Sequence, residues 1–180
     1  MKSLPLLSQR SLTITRLLKV NTAFFAIYLL SPGPYKLNYE RRYTATPESG
    51  KFGTTVFHFF HTSFAQFLFT SGVFYTIGNY HVTAYGAQSF MRLFGASAVA
   101  GSILTAVGLK SGYATEAQAG AMAPAAGLIA YNIFRNPAWF KFLVSPFGAL
   151  TLLALYGALY KDRAAIGGLG IGYLAFLFGL

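Results

Sequence analysis

Six stretches of this chain contain no Asp, Glu, Lys or Arg: Val20–Tyr35 (16 residues), Phe52–Met91 (40), Leu93–Leu109 (17), Ala117–Phe134 (18), Phe142–Tyr160 (19) and Ala164–Leu180 (17). A hydrocarbon core about 30 Å thick is crossed by roughly 20 apolar residues in helical form, with about 17–25 the usual range. The stretches therefore have the length of membrane spans. The one of 40 residues exceeds a single helix, and Gly78-Asn79-Tyr80-His81 with Gly86 supplies turn chemistry near its far end. Spans are expected near 15–31, 54–78, 87–109, 117–134, 139–159 and 163–180. Six helices of about 20 residues leave short connections and no room for a soluble domain. The expectation is an all-α membrane protein: a basic N-terminal segment, 1–19, followed by a six-helix membrane domain, 20–180.

Composition supports the same class. Only 10% of the residues are charged, against about 25% in soluble globular domains, which is too few to cover a soluble surface. The balance is 14 basic to 4 acidic residues, a net charge of +10. A nucleic-acid face needs its Lys and Arg clustered on one patch or stripe; here they stand singly between apolar runs, so no nucleic-acid partner is expected. The absence of Cys removes disulfides, Fe–S clusters and thiolate zinc sites.

The first 39 residues hold no acid. Met1–Lys19 carries Lys2, Arg10, Arg16 and Lys19 among Ser3, Ser8, Ser11, Thr13 and Thr15. Two readings fit it: a mitochondrial address, Arg- and Ser-rich and acid-poor, which with Met1 present would be uncleaved, or the positively charged flank of the first span. The connection from Ser31 to Lys51 contains Pro32, Pro34 and Pro47, and sets Lys36, Arg41, Arg42 and Lys51 among Tyr35, Tyr39 and Tyr43. Aromatic rings and basic side chains together suit the headgroup zone. An interfacial loop is expected there, with those four cations as lipid-headgroup ligands. Alternating spans divide the basic residues 7 to 7 between the two faces, so they leave the orientation open.

Candidate chemistry is sparse. His58 and His61 share a helix face and could ligate a metal or haem; as readily they are interfacial histidines at the start of a span. Arg92 can extend its stem to the interface. Gly95-Ala96-Ser97-Ala98 has the form of a Gly-x-Ser-x nucleophile motif, which with a His base could cleave peptide bonds. The same run, continued by Gly101 and Ser102, is the small-residue face of a closely packed helix. Gly120-Ala121-Met122-Ala123 with Gly127, and Gly167-Gly168 with Gly172, add two more such faces, which argues for a compact bundle.

The order of these motifs resembles the rhomboid family of six-helix intramembrane serine proteases, in particular its mitochondrial presenilin-associated branch. Val20-Asn21-Thr22-Ala23-Phe24-Phe25 looks like the family's first helix, and Tyr43-Thr44-Ala45-Thr46-Pro47 resembles the segment before the second. Phe57–Tyr75 is similar to the second helix, which in the family carries a structural His and then a His-x-x-x-Asn pair that holds the oxyanion. Matching His61 to the first His puts that pair on Gln66 and Thr70. The third helix is matched by Gly86-Ala87-Gln88-Ser89-Phe90 with Ser97 and Gly101-Ser102, which makes Ser97 a packing residue. The nucleophile motif falls on Gly120-Ala121-Met122-Ala123, with Gly127 following and Asn136-Pro137 closing the helix. Ala164-Ala165-Ile166-Gly167-Gly168 with Gly172 resembles the last helix, whose general-base His falls on Ala165. The glycines match and the reactive residues do not.

The resemblance implies a six-transmembrane-helix rhomboid-like bundle with no catalytic residues: Gln66, Thr70, Met122 and Ala165 stand at degenerate positions. With neither nucleophile nor base, no serine-protease mechanism remains. The expected function is non-enzymatic: a pseudoprotease serving as a multi-pass accessory subunit of a large mitochondrial inner-membrane assembly, such as a respiratory-chain complex or the ATP synthase. It would pack on partner subunits and lipids, with no metal or organic cofactor beyond a bound phospholipid such as cardiolipin. A second reading is a client-binding adaptor in quality control or trafficking, as inactive rhomboids and Derlins are; their Trp-Arg pair has no counterpart in the first loop here, because Trp139 is the chain's one Trp. A third is an active protease using Ser97 with His58 or His61.

Overall fold

The computed structural model describes residues 6–43, 61, 63–110, 121–136 and 163–179. Every regular element among them is helical. Helix α1 spans Leu6–Leu30 and runs without a break through the boundary expected at residue 19. It ends where Ser31 folds back, its amide and hydroxyl both donating to the Ile27 carbonyl at 3.1 and 2.6 Å, and where Pro32 has no N–H to continue the ladder. Residues expected to form an interfacial loop are helical instead: α2 covers Gly33–Tyr43. Pro34 sits in its first turn, where a missing N–H costs nothing. The amides of Tyr35 and Lys36 close that turn onto the Pro32 carbonyl at 2.9 and 3.0 Å.

No turn forms at Gly78–His81, where one was expected. The chain there stays helical: α3 (Phe64–Val73) passes through one π-helical segment (Phe74–Gly78) into α4 (Asn79–Tyr85). Thr76 Oγ1 donates to the Gly72 carbonyl at 2.7 Å and Asn79 Nδ2 to the Tyr75 carbonyl at 2.6 Å. Short polar side chains that bond carbonyls one turn back perturb a helix without ending it. Gly78 is there for space, since a Cβ would stand 3.1 Å from Ile14 Cδ1 and 3.3 Å from the Phe90 ring. The reversal comes at Gly86, with φ 92° and ψ 159°, a region essentially confined to glycine. Helix α5 (Ala87–Lys110) starts at the next residue, followed by α6 (Met122–Arg135) and α7 (Arg163–Phe178). The expected span near 139–159 lies outside the described residues.

Helix α6 is the centre. Every residue from Ala121 to Asn132 is buried, which requires neighbours on all sides. Helix α7 lies against both α5 and α6, and glycines set the distance. A Cβ on Gly168 would overlap the Ala123 carbonyl, one on Gly172 the Gly127 carbonyl, and one on Gly167 would lie 2.8 Å from the backbone of Ala100 and Gly101. Pairing 123 with 168 and 127 with 172 makes α6 and α7 parallel. Helix α1 packs antiparallel on α3 and the π segment, Ile14 against Gly78 and Phe25 stacked on Phe67 at 4.4 Å. Gly95, expected on a packing face, has no neighbour within 4 Å of where its Cβ would be; the α5 crossing uses Ser97, Ala100 and Gly101 instead.

Beside an apolar core, several polar side chains are buried and several large apolar ones are exposed. Asn21, His61, Thr70, His81, Ser97, Thr105 and Asn132 are buried, while Leu30, Phe64, Leu68, Met91, Leu177 and Phe178 are exposed. One described helix is by itself long and apolar enough to cross a membrane, α1 over Thr13–Leu30; α7 offers a shorter apolar stretch, Ala165–Phe178.

Candidate functional site

His61, Thr70 and Met122 come together at the N-terminal end of α6, with Ala165 in the same core. His61 lies just before α3 and is fully buried. Its Nε2 stands 2.8 Å from Thr70 Oγ1, one and a half turns into α3, and receives the Ala121 amide at 3.4 Å. The first amides of a helix have no partner within it, so His61 serves the α6 terminus from outside. The Thr70 hydroxyl also reaches back to the Gln66 and Phe67 carbonyls at 3.0 and 3.2 Å, so it links His61 to the backbone of α3. His61 is engaged in tying α3 to α6, and its ring also meets Phe67 edge-on at 5.6 Å.

Met122 follows at once, 2% exposed, and Ala165 on the parallel α7 is 0% exposed; both belong to one apolar core with Val73, Phe74 and Ala125. The two adjacent, interlocked helices thus bury a thioether and a methyl group in one apolar core. A thioether has no proton to lose and a methyl group accepts none, so this arrangement cannot form an acyl intermediate. Ser97 is buried on α5 against Gly127, where a Cβ would stand 3.0 Å from Ser97 Cβ, and its Oγ has no hydrogen-bond partner. A nucleophilic serine needs a base within about 2.6–3.2 Å. Ser97 and His61 are therefore not assembled as a pair.

His58, Lys51 and Gly120 lie outside the described residues, as do the side chains of Arg41 and Arg42. Lys36 is half-buried with its Nζ 5.5 Å above the Tyr28 ring, a cation–π contact at the α1–α2 corner. Arg92 is exposed. Among the described residues no group of three or more His, Asp or Glu could hold a metal ion, and the chain has no Cys.

A second polar cluster was not legible beforehand. His81 Nε2 lies 3.1 Å from Ser89 Oγ, and His81 Nδ1 lies 3.2 Å from Asn132 Nδ2. The order Ser–His–Asn is that of a hydrolase triad, but the protons run the wrong way. Asn132 Nδ2 also donates to the Leu128 carbonyl at 2.7 Å, which fixes the amide orientation, because a carbonyl oxygen in that place would face another oxygen. Nδ1 of His81 therefore accepts, Nε2 holds the proton, and Ser89 is the acceptor rather than the group activated. Rings of Tyr85 and Tyr131 lie 5.0 and 5.1 Å from the imidazole. The cluster pins the α4–α5 reversal to α6. His81 and Ser89 meet through the turn at Gly86, a signal present in the sequence; Asn132 is 51 residues from His81 and carried none.

No protein-family model, no curated protein and no solved structure matches this chain.

Proposed function

We propose that this chain is a rhomboid-like pseudoprotease: a non-enzymatic, multi-pass integral membrane subunit of a large mitochondrial inner-membrane assembly such as a respiratory-chain complex or the ATP synthase. The observation that carries it is the joint placement of Met122 and Ala165, buried on the parallel pair α6–α7 whose backbones interlock through Gly127, Gly168 and Gly172. Close crossings of this kind are what small-residue motifs permit in a bilayer. Here they hold a place for chemistry in which no reactive group stands. The exposed apolar surface supports the membrane setting: large apolar side chains face outward on α1, α3, α5 and α7. Exposed apolar surface on this scale marks contact with lipid or partner helices. The acid-free, basic N-terminus supports the mitochondrial address.

In this setting the protein supplies a rigid helical block, with Lys36, Arg41, Arg42 and Lys51 as the candidate ligands of anionic headgroups such as cardiolipin. Purification from mitochondria in mild detergent, followed by mass spectrometry, tests the reading. A fixed set of membrane subunits in constant ratio to this chain is expected. A varied population of single-span clients would move the assignment to the adaptor, and a monodisperse monomer would refute the assembly. Labelling by a fluorophosphonate that was lost on Ser97→Ala or Ser89→Ala would refute the non-enzymatic reading.

A further inference from the structure

A groove of about 690 Å³ runs between α1 and the helix formed by α3, the π segment and α4, within the roughly 300–1,000 Å³ of small-molecule sites. Of its lining residues only Ile14 belongs to the apolar core that holds Met122 and Ala165, and none belongs to the His81 cluster. The lining is graded along its length. Because α1 and α3–α4 are antiparallel, with Ile14 against Gly78 and Phe25 against Phe67, Thr15 and Asn79 share one end. Lys19 is one turn along from Thr15, and helical side chains lean toward the helix N-terminus, which carries its ammonium toward that same end. Thr22, Ala23 and Ala26 form the other end, small and uncharged.

The polar end carries a positive charge with no acid on its own helix. Lys19 is exposed. The four acids of the chain are Glu40, Glu48, Glu116 and Asp162, so the first 39 residues contain none. From Thr15 to Ala26 the helix rises about 16 Å, which matches the roughly 15 Å depth of one hydrocarbon leaflet. A partner helix laid here would have to bury Lys19 against its own apolar side. A phosphate would not.

We propose that this groove seats one anionic phospholipid, its phosphate on Lys19 beside Thr15 and Asn79 and an acyl chain along Ala23 and Ala26. The proposal rests on the membrane reading above and deepens it, naming a site distinct from the α2 cations. Asn79 Nδ2 spends one N–H on the Tyr75 carbonyl and keeps a second for the phosphate.

The full-length protein, purified in mild detergent and exchanged against phosphatidylglycerol and phosphatidylcholine of equal chain length, is read by native mass spectrometry. One retained phosphatidylglycerol is expected, favoured over phosphatidylcholine by about fivefold, the factor for one basic residue near an anionic headgroup. Lys19→Gln removes the preference; Ala23→Leu with Ala26→Leu removes both lipids; Arg92→Gln on α5 leaves binding as in the wild type. A preference that survives Lys19→Gln, lipid retained by the double Leu variant, or a co-purifying polypeptide in place of lipid would overturn the site. Alkaline carbonate extraction of membranes expressing the same proteins tests the underlying reading separately. Release of the wild type into the supernatant would sink membrane integration, whereas retention with a negative lipid result would sink the groove alone.

Discussion

Two buried hydroxyls make opposite predictions. Thr70 supplies a bond to the fully buried His61, and removing one partner from a buried polar pair leaves the other desolvated, at about 1–3 kcal/mol. Thr70→Val should lower stability by that amount in detergent melts. Ser97 Oγ is buried with no partner at all, so its desolvation is already uncompensated. Ser97→Ala should be neutral or stabilising by up to about 1 kcal/mol; a clear loss in the same melts would mean that the hydroxyl is bonded. The motif around Ser97 reads identically for a nucleophile and a packing residue. What separates them is the absence of any imidazole at Ser97 Oγ, which depends on where His61 is held.

At the level of helices, glycine acts in two ways. At Gly86 the need is conformational, because φ 92° with ψ 159° is strained for any side chain; Gly86→Ala is expected to cost about 1–3 kcal/mol, read as a lower midpoint of thermal unfolding. At Gly168 the need is space. Gly168→Ala drives a methyl group into the Ala123 carbonyl, and forcing α6 and α7 apart should cost about 1–3 kcal/mol. Gly95→Ala, with nothing within 4 Å, is the control. It should stabilise α5 by about 0.5–1 kcal/mol. Gly86 stands beside turn chemistry, whereas Gly95 and Gly168 both sit in small-residue runs, so composition could not rank those two. The run Gly167-Gly168 with Gly172 was nonetheless legible as a close-packing segment, because small residues at this spacing serve little else in an apolar helix; that Gly167 meets α5 while Gly168 and Gly172 meet α6 was not. The π segment and helix α2 were not legible: Asn79 and Pro34 are breakers in isolation, and each is accommodated here by a particular carbonyl or a particular place in the first turn.

For the whole molecule, stability is expected to be graded outward from α6. Its backbone from Ala121 to Asn132 is enclosed by neighbouring helices, and such segments open only with the global unfolding free energy. Hydrogen exchange followed by mass spectrometry should find α6 the slowest element, and α2, whose side chains from Pro34 to Tyr35 and from Leu37 to Asn38 are exposed, the fastest. Equal exchange in both would mean that the α6 bundle is not the core.

By itself the amino-acid order determined that the chain is helical, short of charge, without cysteine chemistry, and built around three small-residue faces. Those are properties of local composition and of periodicity along one chain. Only the tertiary structure decided that His61 and Thr70 bind the start of α6, that Met122 and Ala165 lie on interlocked parallel helices, and that His81, Ser89 and Asn132 form a network whose protons run against catalysis. Each of these depends on atoms far apart in sequence being brought within hydrogen-bonding or van der Waals distance, and no local pattern encodes which of many equally apolar faces will meet.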